Sequence, residues 1–382
     1  MLPYQVPEIQ RCSLEHVILQ ICLLQLGSPE DFLQKTLDPP RASLTATAVS
    51  RLQQIKALEA NQDLTPLGLH LANLPVDAGI GKMLVFGALF ECIEPVLTIA
   101  AGFSTKNPFL SPMNERDKAQ AAKRGFSKHD SDLLTVVNAY NQWSAIGTYN
   151  EKRKFCRSNF LSQNTLEMMS HLRDQFRRLL VGAGFLRPRV KEDSEEEDEG
   201  MTLWDHGVGM DLPCNRNGTS VAVLRAVLVA GLYPNVVRVQ KSDTKASRYG
   251  YEFFSNNESV SIHPGSINYR LPFGKKRWLV YHQKQRTSQM FVYDSSVVSP
   301  RALLLFGGPM TYDFDSTKIS VGPDISFKTT PQTWKIMALL REEMEIVLEQ
   351  RLDDPNNDAF RRTEERVMQI ILRILETEDV RM

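Results

Sequence analysis

No Cys-x-x-Cys pair occurs in this chain, and its five cysteines, Cys12, Cys22, Cys92, Cys156 and Cys214, are scattered. That pattern suggests neither a disulfide framework nor a zinc site, and it suits a reducing compartment. Net charge is missing as well, because 45 basic residues balance 45 acidic ones. No field of the whole molecule draws in a polyanion, so any such preference must come from local patches. The opening "MLPYQVPEIQR" has no basic-then-apolar leader. The longest apolar run, 83–101, is interrupted by Glu91, Glu94 and Pro95. It therefore reads as two buried helices and not as a membrane span. These absences predict a soluble intracellular chain, cytoplasmic or nuclear, with no membrane partner.

Catalytic signatures are absent too. There is no Gly-x-Ser-x-Gly elbow, no His-Glu-x-x-His and no Asp-Glu-Ala-His box. The stretch "DAGIGKMLVFG" at 77–87 holds the centre of a phosphate-binding loop, Gly81-Lys82, and nothing else of it. Val76 stands where the first glycine is needed, and Met83 replaces the hydroxyl that would hold magnesium. The stretch is read instead as a helix start, with Lys82 solvated and Met83, Val85, Phe86 and Leu89 in a core.

What is present points to an α+β multidomain chain. At 382 residues it has room for two or three domains. Short helices with capping signals at Ser13, Ser28-Pro29 and Thr65-Pro66, plus a small β wing, predict a winged-helix domain over 1–75. Further helices, including 131–143 and 165–182, predict a helical bundle over 76–186. The run "EDSEEEDE" at 192–199 cannot bury its like charges, so 187–219 reads as a disordered acidic linker carrying a candidate phosphorylation site, Ser194. An apolar helix at 221–232 then leads into short strands at 236–240, 249–254, 260–262, 278–282, 289–294 and 302–306. Such a series predicts a small OB-fold β-barrel over 220–330. Two amphipathic C-terminal helices finish the chain over 331–382.

Charge placement carries the functional signal. From Ser259 to Tyr293 there is no Asp or Glu, yet Arg270, Lys275, Lys276, Arg277, Lys284 and Arg286 fall there among aromatic residues. Cations beside exposed rings suit a nucleic-acid strand, phosphates on the former and bases on the latter. His263, in "SIHPGSINY", sits at a strand end before a Pro-Gly turn. A second cluster, Lys152, Arg153, Lys154 and Arg157, with Arg173, Arg177 and Arg178 downstream, either follows a phosphate backbone or forms a solvated face.

Ordered matches along nearly the whole chain make it similar to the C-terminal half of DEAH-box RNA helicases of the RNA helicase A-like subgroup, nearest the G-quadruplex-resolving members. They comprise "PEIQR" at 7–11, "LTPLGLHLANLPVD" at 64–77, "IGKMLVFGALF" at 80–90, "KNPFLSP" at 106–112, "DSDLLTVVNAYNQW" at 130–143 and "FCRSNFLSQNTL" at 155–166. The later part adds "VLVAGLYPNV" at 227–236, "IHPGSIN" at 262–268, "LVYHQKQRTSQMFVYD" at 279–294 and "SPRALLLFGG" at 299–308. The resemblance implies winged-helix, ratchet-like (HA2) and OB-fold domains in that order, with RecA-like motor domains that hold ATP and magnesium lying upstream of "PEIQR". No cofactor is then expected in this chain.

Carried over, the family's strand contacts fall on Lys106, Asp132, Arg157 and Asn159 of the ratchet part and on His263, Ser266, Lys284, Arg286, Thr287 and Ser288 of the barrel. Leu133 stands where many members have histidine. The implied role is to grip single-stranded RNA or DNA, G-quadruplex forms included, during 3′-to-5′ translocation by the motor. The competing reading is a protein-interaction scaffold or truncated regulator that binds helicase partners, G-patch-type activators among them, without unwinding.

Overall fold

The computed structural model describes residues 7–187, 213–242, 250–354 and 361–379. The acidic stretch 192–199, with Ser194, lies outside them.

Four helices open the chain, α1 (Glu15–Leu23), α2 (Pro29–Gln34), α3 (Ala42–Gln54) and α4 (Pro66–Asn73). Ser28 and Thr65 cap α2 and α4, accepting from the backbone N–H of Asp31 (3.2 Å) and Gly68 (2.9 Å), with proline at the first helical position. The apolar residues Leu14, Val17, Ile18, Ile21 and Leu24 fall at helical spacing, but the buried stripe on α1 is narrower than that spacing suggests. Ile18, Leu19 and Ile21 are buried while Val17 and Leu24 face solvent. The wing is reduced, among the described residues, to one bridge between Leu58 and Leu64.

Six helices follow, α5 (Ala78–Leu89), α6 (Ile93–Phe103), α7 (Arg116–Phe126), α8 (Asp132–Ser144), α9 (Tyr149–Ser158) and α10 (Gln163–Gly182). The Asp77 side chain caps α5 through the N–H groups of Gly79 and Ile80, so the "DAGIGK" stretch is a helix start as expected. Lys82 departs from expectation: it is buried, and its ammonium donates to the Ile55 carbonyl at 2.9 Å. Arg173 and Arg177 are likewise spent internally on Glu94 of α6, which removes them from the solvated basic face.

Helix α11 (Val221–Leu232) is buried at every position but its first and packs on α5. The strands after it are β1 (Val236–Lys241), β2 (Tyr251–Ser255), β3 (Glu258–Ile262), β4 (Trp278–Val280), β5 (Gln283–Arg286), β6 (Met290–Tyr293) and β7 (Ser296–Val297). They form one curled sheet in the order β5-β6-β3-β2-β1-β4-β7, antiparallel except where β3 meets β6.

The expected strand at 302–306 is instead helix α12 (Pro300–Phe306). Ser299 accepts from the Ala302 N–H at 3.1 Å and Pro300 sets the first helical φ, so a short apolar run that suits either state is started as a helix. A second sheet, β8 (Met310–Asp313), β9 (Lys318–Val321) and β10 (Ile325–Lys328), precedes α13 (Pro331–Asp353) and α14 (Arg361–Asp379). One apolar core runs without a break from α5 and α6 through α11 and α12 to α14, while α1–α4 and the barrel interior each hold their own. Among the described residues no helix is long and apolar enough to cross a membrane.

Candidate nucleic-acid interface

The seam between the helical bundle and the barrel is organised by one carboxylate. "SDLLT" places Ser131 as N-cap of α8 and Asp132 in its first turn. The backbone here extends the barrel: Asp132 N–H donates to Ser295 O (2.9 Å), Val297 N–H to Asp130 O (3.1 Å), and Ser131 bridges Ser296. The Asp132 carboxylate accepts from Lys123 Nζ (3.0 Å), the N–H groups of Ile267 (3.0 Å) and Ser295 (3.1 Å), and the hydroxyls of Ser266 and Ser295. Lys123 donates onward to Gly265 O at 2.7 Å.

Asp132 and Ser266, expected to face a strand, are therefore turned inward at 3% and 5% exposure. A buried anion keeps its charge only when paired and hydrogen-bonded, and these partners supply both. Their polar atoms join the two domains and leave no open contact surface.

Rings line the outer part of the same seam. His282 lies flat on Phe103 of α6, centroids 3.8 Å apart, and His263 stacks on Tyr293 at 4.4 Å. Burial lowers the pKa of both imidazoles, with Lys123 adding to the effect at His263, so both lean to the neutral form. The His263 Nδ1 accepts from the Gly265 N–H at 3.1 Å, which holds the Pro-Gly turn.

Between α6 and the barrel a cavity of about 350 Å³ is lined by Lys106, Leu133, His282, Tyr293 and Asp294 among others. Lys106 is exposed at its edge. Asp294 is pushed up to about 6 by burial and by the neighbouring Asp132, against the pull of Lys123. Leu133, in place of the histidine common in the resembled family, gives this cavity an apolar wall.

The remaining expected residues fall in two places. Lys284, Arg286, Thr287 and Ser288 occupy the exposed β5–β6 hairpin, where Lys284 is paired with Glu258 at 3.0 Å. Arg157 is exposed near the end of α9, while Asn159 is half-buried and caps that helix by donating to Phe155 O at 3.0 Å. The segment 108–110 runs beside 160–162 through Leu110 N–H to Phe160 O (2.7 Å) and Ser162 N–H to Pro108 O (2.9 Å). That pairing ties the Lys106 loop to the end of α9.

A further cationic feature lies across the sheet, four strands from β5 at β1. A groove of about 680 Å³ between β1, β4, β10 and α12 is lined by Arg238, Lys275, Lys276, Arg277, Arg301 and Lys328, with no carboxylate among its described lining residues. Lys276 is paired with Asp130, and Arg301 donates to Ile374 O at 2.8 Å. Arg238, Lys275, Arg277 and Lys328 are exposed and pair with no carboxylate among the described residues. Trp278 and Phe327 form its apolar floor at a centroid distance of 5.4 Å.

The acid-free run 259–293 points to Lys275 and Arg277. Arg238, Arg301 and Lys328 carry no such signal, since only the fold brings them together. A row of unpaired cations holds phosphates, and the half-buried rings of the seam can stack bases. Among the described residues no three His, Cys, Asp or Glu side chains converge as a metal site.

Comparison with known proteins agrees with this layout. Family models described as the winged-helix and ratchet-like parts of the helicase associated domain (HA2) match residues 48–76 and 77–136. One described as an oligonucleotide/oligosaccharide-binding (OB)-fold matches residues 224–310. The ATP-dependent DNA/RNA helicase DHX36 of Bos taurus is 36% identical over 98% of this chain and 36% of its own length. The ATP-dependent RNA helicase DHX29 of Homo sapiens is 34% identical over 99% of the chain and 27% of its own length. The DExH-box ATP-dependent RNA helicase DExH1 of Arabidopsis thaliana is 36% identical over 93% of the chain and 34% of its own length. The chain thus spans about a third of the length of the curated relatives it matches.

Proposed function

We propose that this chain, which belongs to the winged-helix, ratchet-like and OB-fold region of the RNA helicase A-like DEAH-box helicases, grips one nucleic-acid strand for an ATP-driven motor. Single-stranded RNA or DNA is the substrate, and 3′-to-5′ translocation is the work it assists. ATP and magnesium belong to RecA-like motor domains; no residue described above is assigned to them. G-quadruplex forms and G-patch-type activators are further partners on this reading, in cytoplasm or nucleus.

The observation that carries it is the groove of Arg238, Lys275, Arg277 and Lys328, with no carboxylate among its described lining residues. Cations that neutralise phosphates release condensed counterions, so binding must weaken steeply with salt. Replacing Lys275 and Arg277 together by Glu should weaken binding of a labelled single-stranded oligonucleotide more than tenfold near 0.1 M salt and flatten its log–log salt slope by about two. Anisotropy titrations with unchanged affinity and slope would remove the groove from the reading. The same titrations on Lys284→Glu/Arg286→Glu measure the hairpin's share.

The scaffold reading has its own support in Ile336, Leu339 and Ile346, which stand exposed on α13. A pull-down with a G-patch segment that succeeds while oligonucleotide binding is nil would favour it.

A further inference from the structure

Lys82 takes no part in the nucleic-acid grooves, yet it lines a cavity of about 580 Å³ where the end of α3, the start of α4, α5, the end of α12 and α13 converge. Leu58, Leu67, Phe86, Phe306, Met344 and Leu348 supply the apolar walls. The volume falls within the range of small-molecule sites, about 300–1,000 Å³.

Formal charge balances over the whole lining, three cations against three carboxylates, but not in its buried part, where Lys82 and Arg341 face the half-buried Glu345. Lys82 (α5) and Arg341 (α13) are buried, Lys56 after α3 is exposed, and the carboxylate among them is Glu345. Glu345 meets Lys56 at 2.6 Å and Arg341 at 3.1 Å. Glu59 and Glu349 also line the cavity, but both are exposed. The α12 side contributes the Leu304 and Gly307 carbonyls, which accept from Arg341 at 3.1 and 2.6 Å.

Buried donors therefore remain. The ammonium of Lys82 has three N–H bonds and spends one, on Ile55 O, while the guanidinium of Arg341 has five and spends three. Burial is the main cause that lowers Lys82 to about 7, with Arg341 and Lys56 adding to it and Glu345 opposing.

We propose that this cavity binds a small amphipathic carboxylate, its head group on Lys82 and Arg341 and its hydrocarbon body against Phe86, Met344 and Leu348. The head group supplies the missing negative charge and acceptors. The apolar walls gain from covering the tail.

The test uses the whole chain and three probes of equal tail length, octanoate, octanol and octylamine, titrated by calorimetry at several pH values. Octanoate should bind at least tenfold more tightly than octanol at pH 6.5, and octylamine weakest. Because the anion needs protonated Lys82, octanoate affinity should fall as pH rises from 6.5 to 9 while octanol affinity stays level. Lys82→Met should remove the pH dependence of octanoate binding and reduce its preference over octanol, leaving the share that Arg341 supplies. Equal binding of octanoate and octanol, binding of neither, or a level octanoate profile in the unmodified chain would overturn the proposal, and these outcomes require no variant to fold.

Discussion

Asp294 sits between the two functions of the seam. Its backbone lies in the left-handed region at φ 53°, which asparagine tolerates as well as aspartate does. Its carboxyl is raised to about 6, above the ordinary carboxylate range. A group raised in the folded state contributes stability that is full below the unfolded pKa, about 4, and is lost as pH passes through 6. Asp294→Asn keeps that contribution at all pH values. The variant should melt with the parent at pH 4 and a few degrees above it at pH 8, as read by thermal unfolding. It should also bind oligonucleotide more tightly at pH 8, since one anion beside the Lys106 cavity is gone; unchanged melting at both pH values would refute the assignment.

At the scale of elements, α5 and α11 approach through glycine. A Cβ on Gly231 would lie 2.5 Å from the Met83 Cβ and 3.0 Å from Gly79 O. Gly231→Ala should cost about 1–3 kcal/mol through overpacking, measured as a lowered urea midpoint with unchanged slope.

Element legibility follows the same physics. Helices with both a cap and an apolar period, such as α4 and α8, were readable because Thr65 and Ser131 mark their starts. Strands β8–β10 were not, because their alternation runs over four residues each. Helix α12 was misread because "ALLLF" has no period, and the Ser299-Pro300 cap was the deciding signal. In the candidate site, local charge marks Lys284 and Arg286, and the fold places both on an exposed hairpin. The inward turn of Asp132 was not legible, since its partners Lys123, Ser266, Ile267 and Ser295 come from three separate stretches.

For the whole molecule, the bundle and the barrel are joined by a shared core and by the buried Lys123–Asp132 pair of the bundle, which hydrogen-bonds Gly265, Ile267 and Ser295 of the barrel. Asp132→Asn would leave the Lys123 ammonium, 7% exposed, without its countercharge. The loss should be about 3–5 kcal/mol and should appear as a single cooperative transition at lower denaturant. Two separate transitions in the parent would show that the domains unfold independently.

The edge pairing of 130–132 with 295–297 has a mechanical corollary. It ties the bundle to the barrel through main-chain bonds, so hinging between the two would have to break them. While those bonds hold, a polymer lying against the two must be fed in from an end, or be let go when some other moving part swings aside.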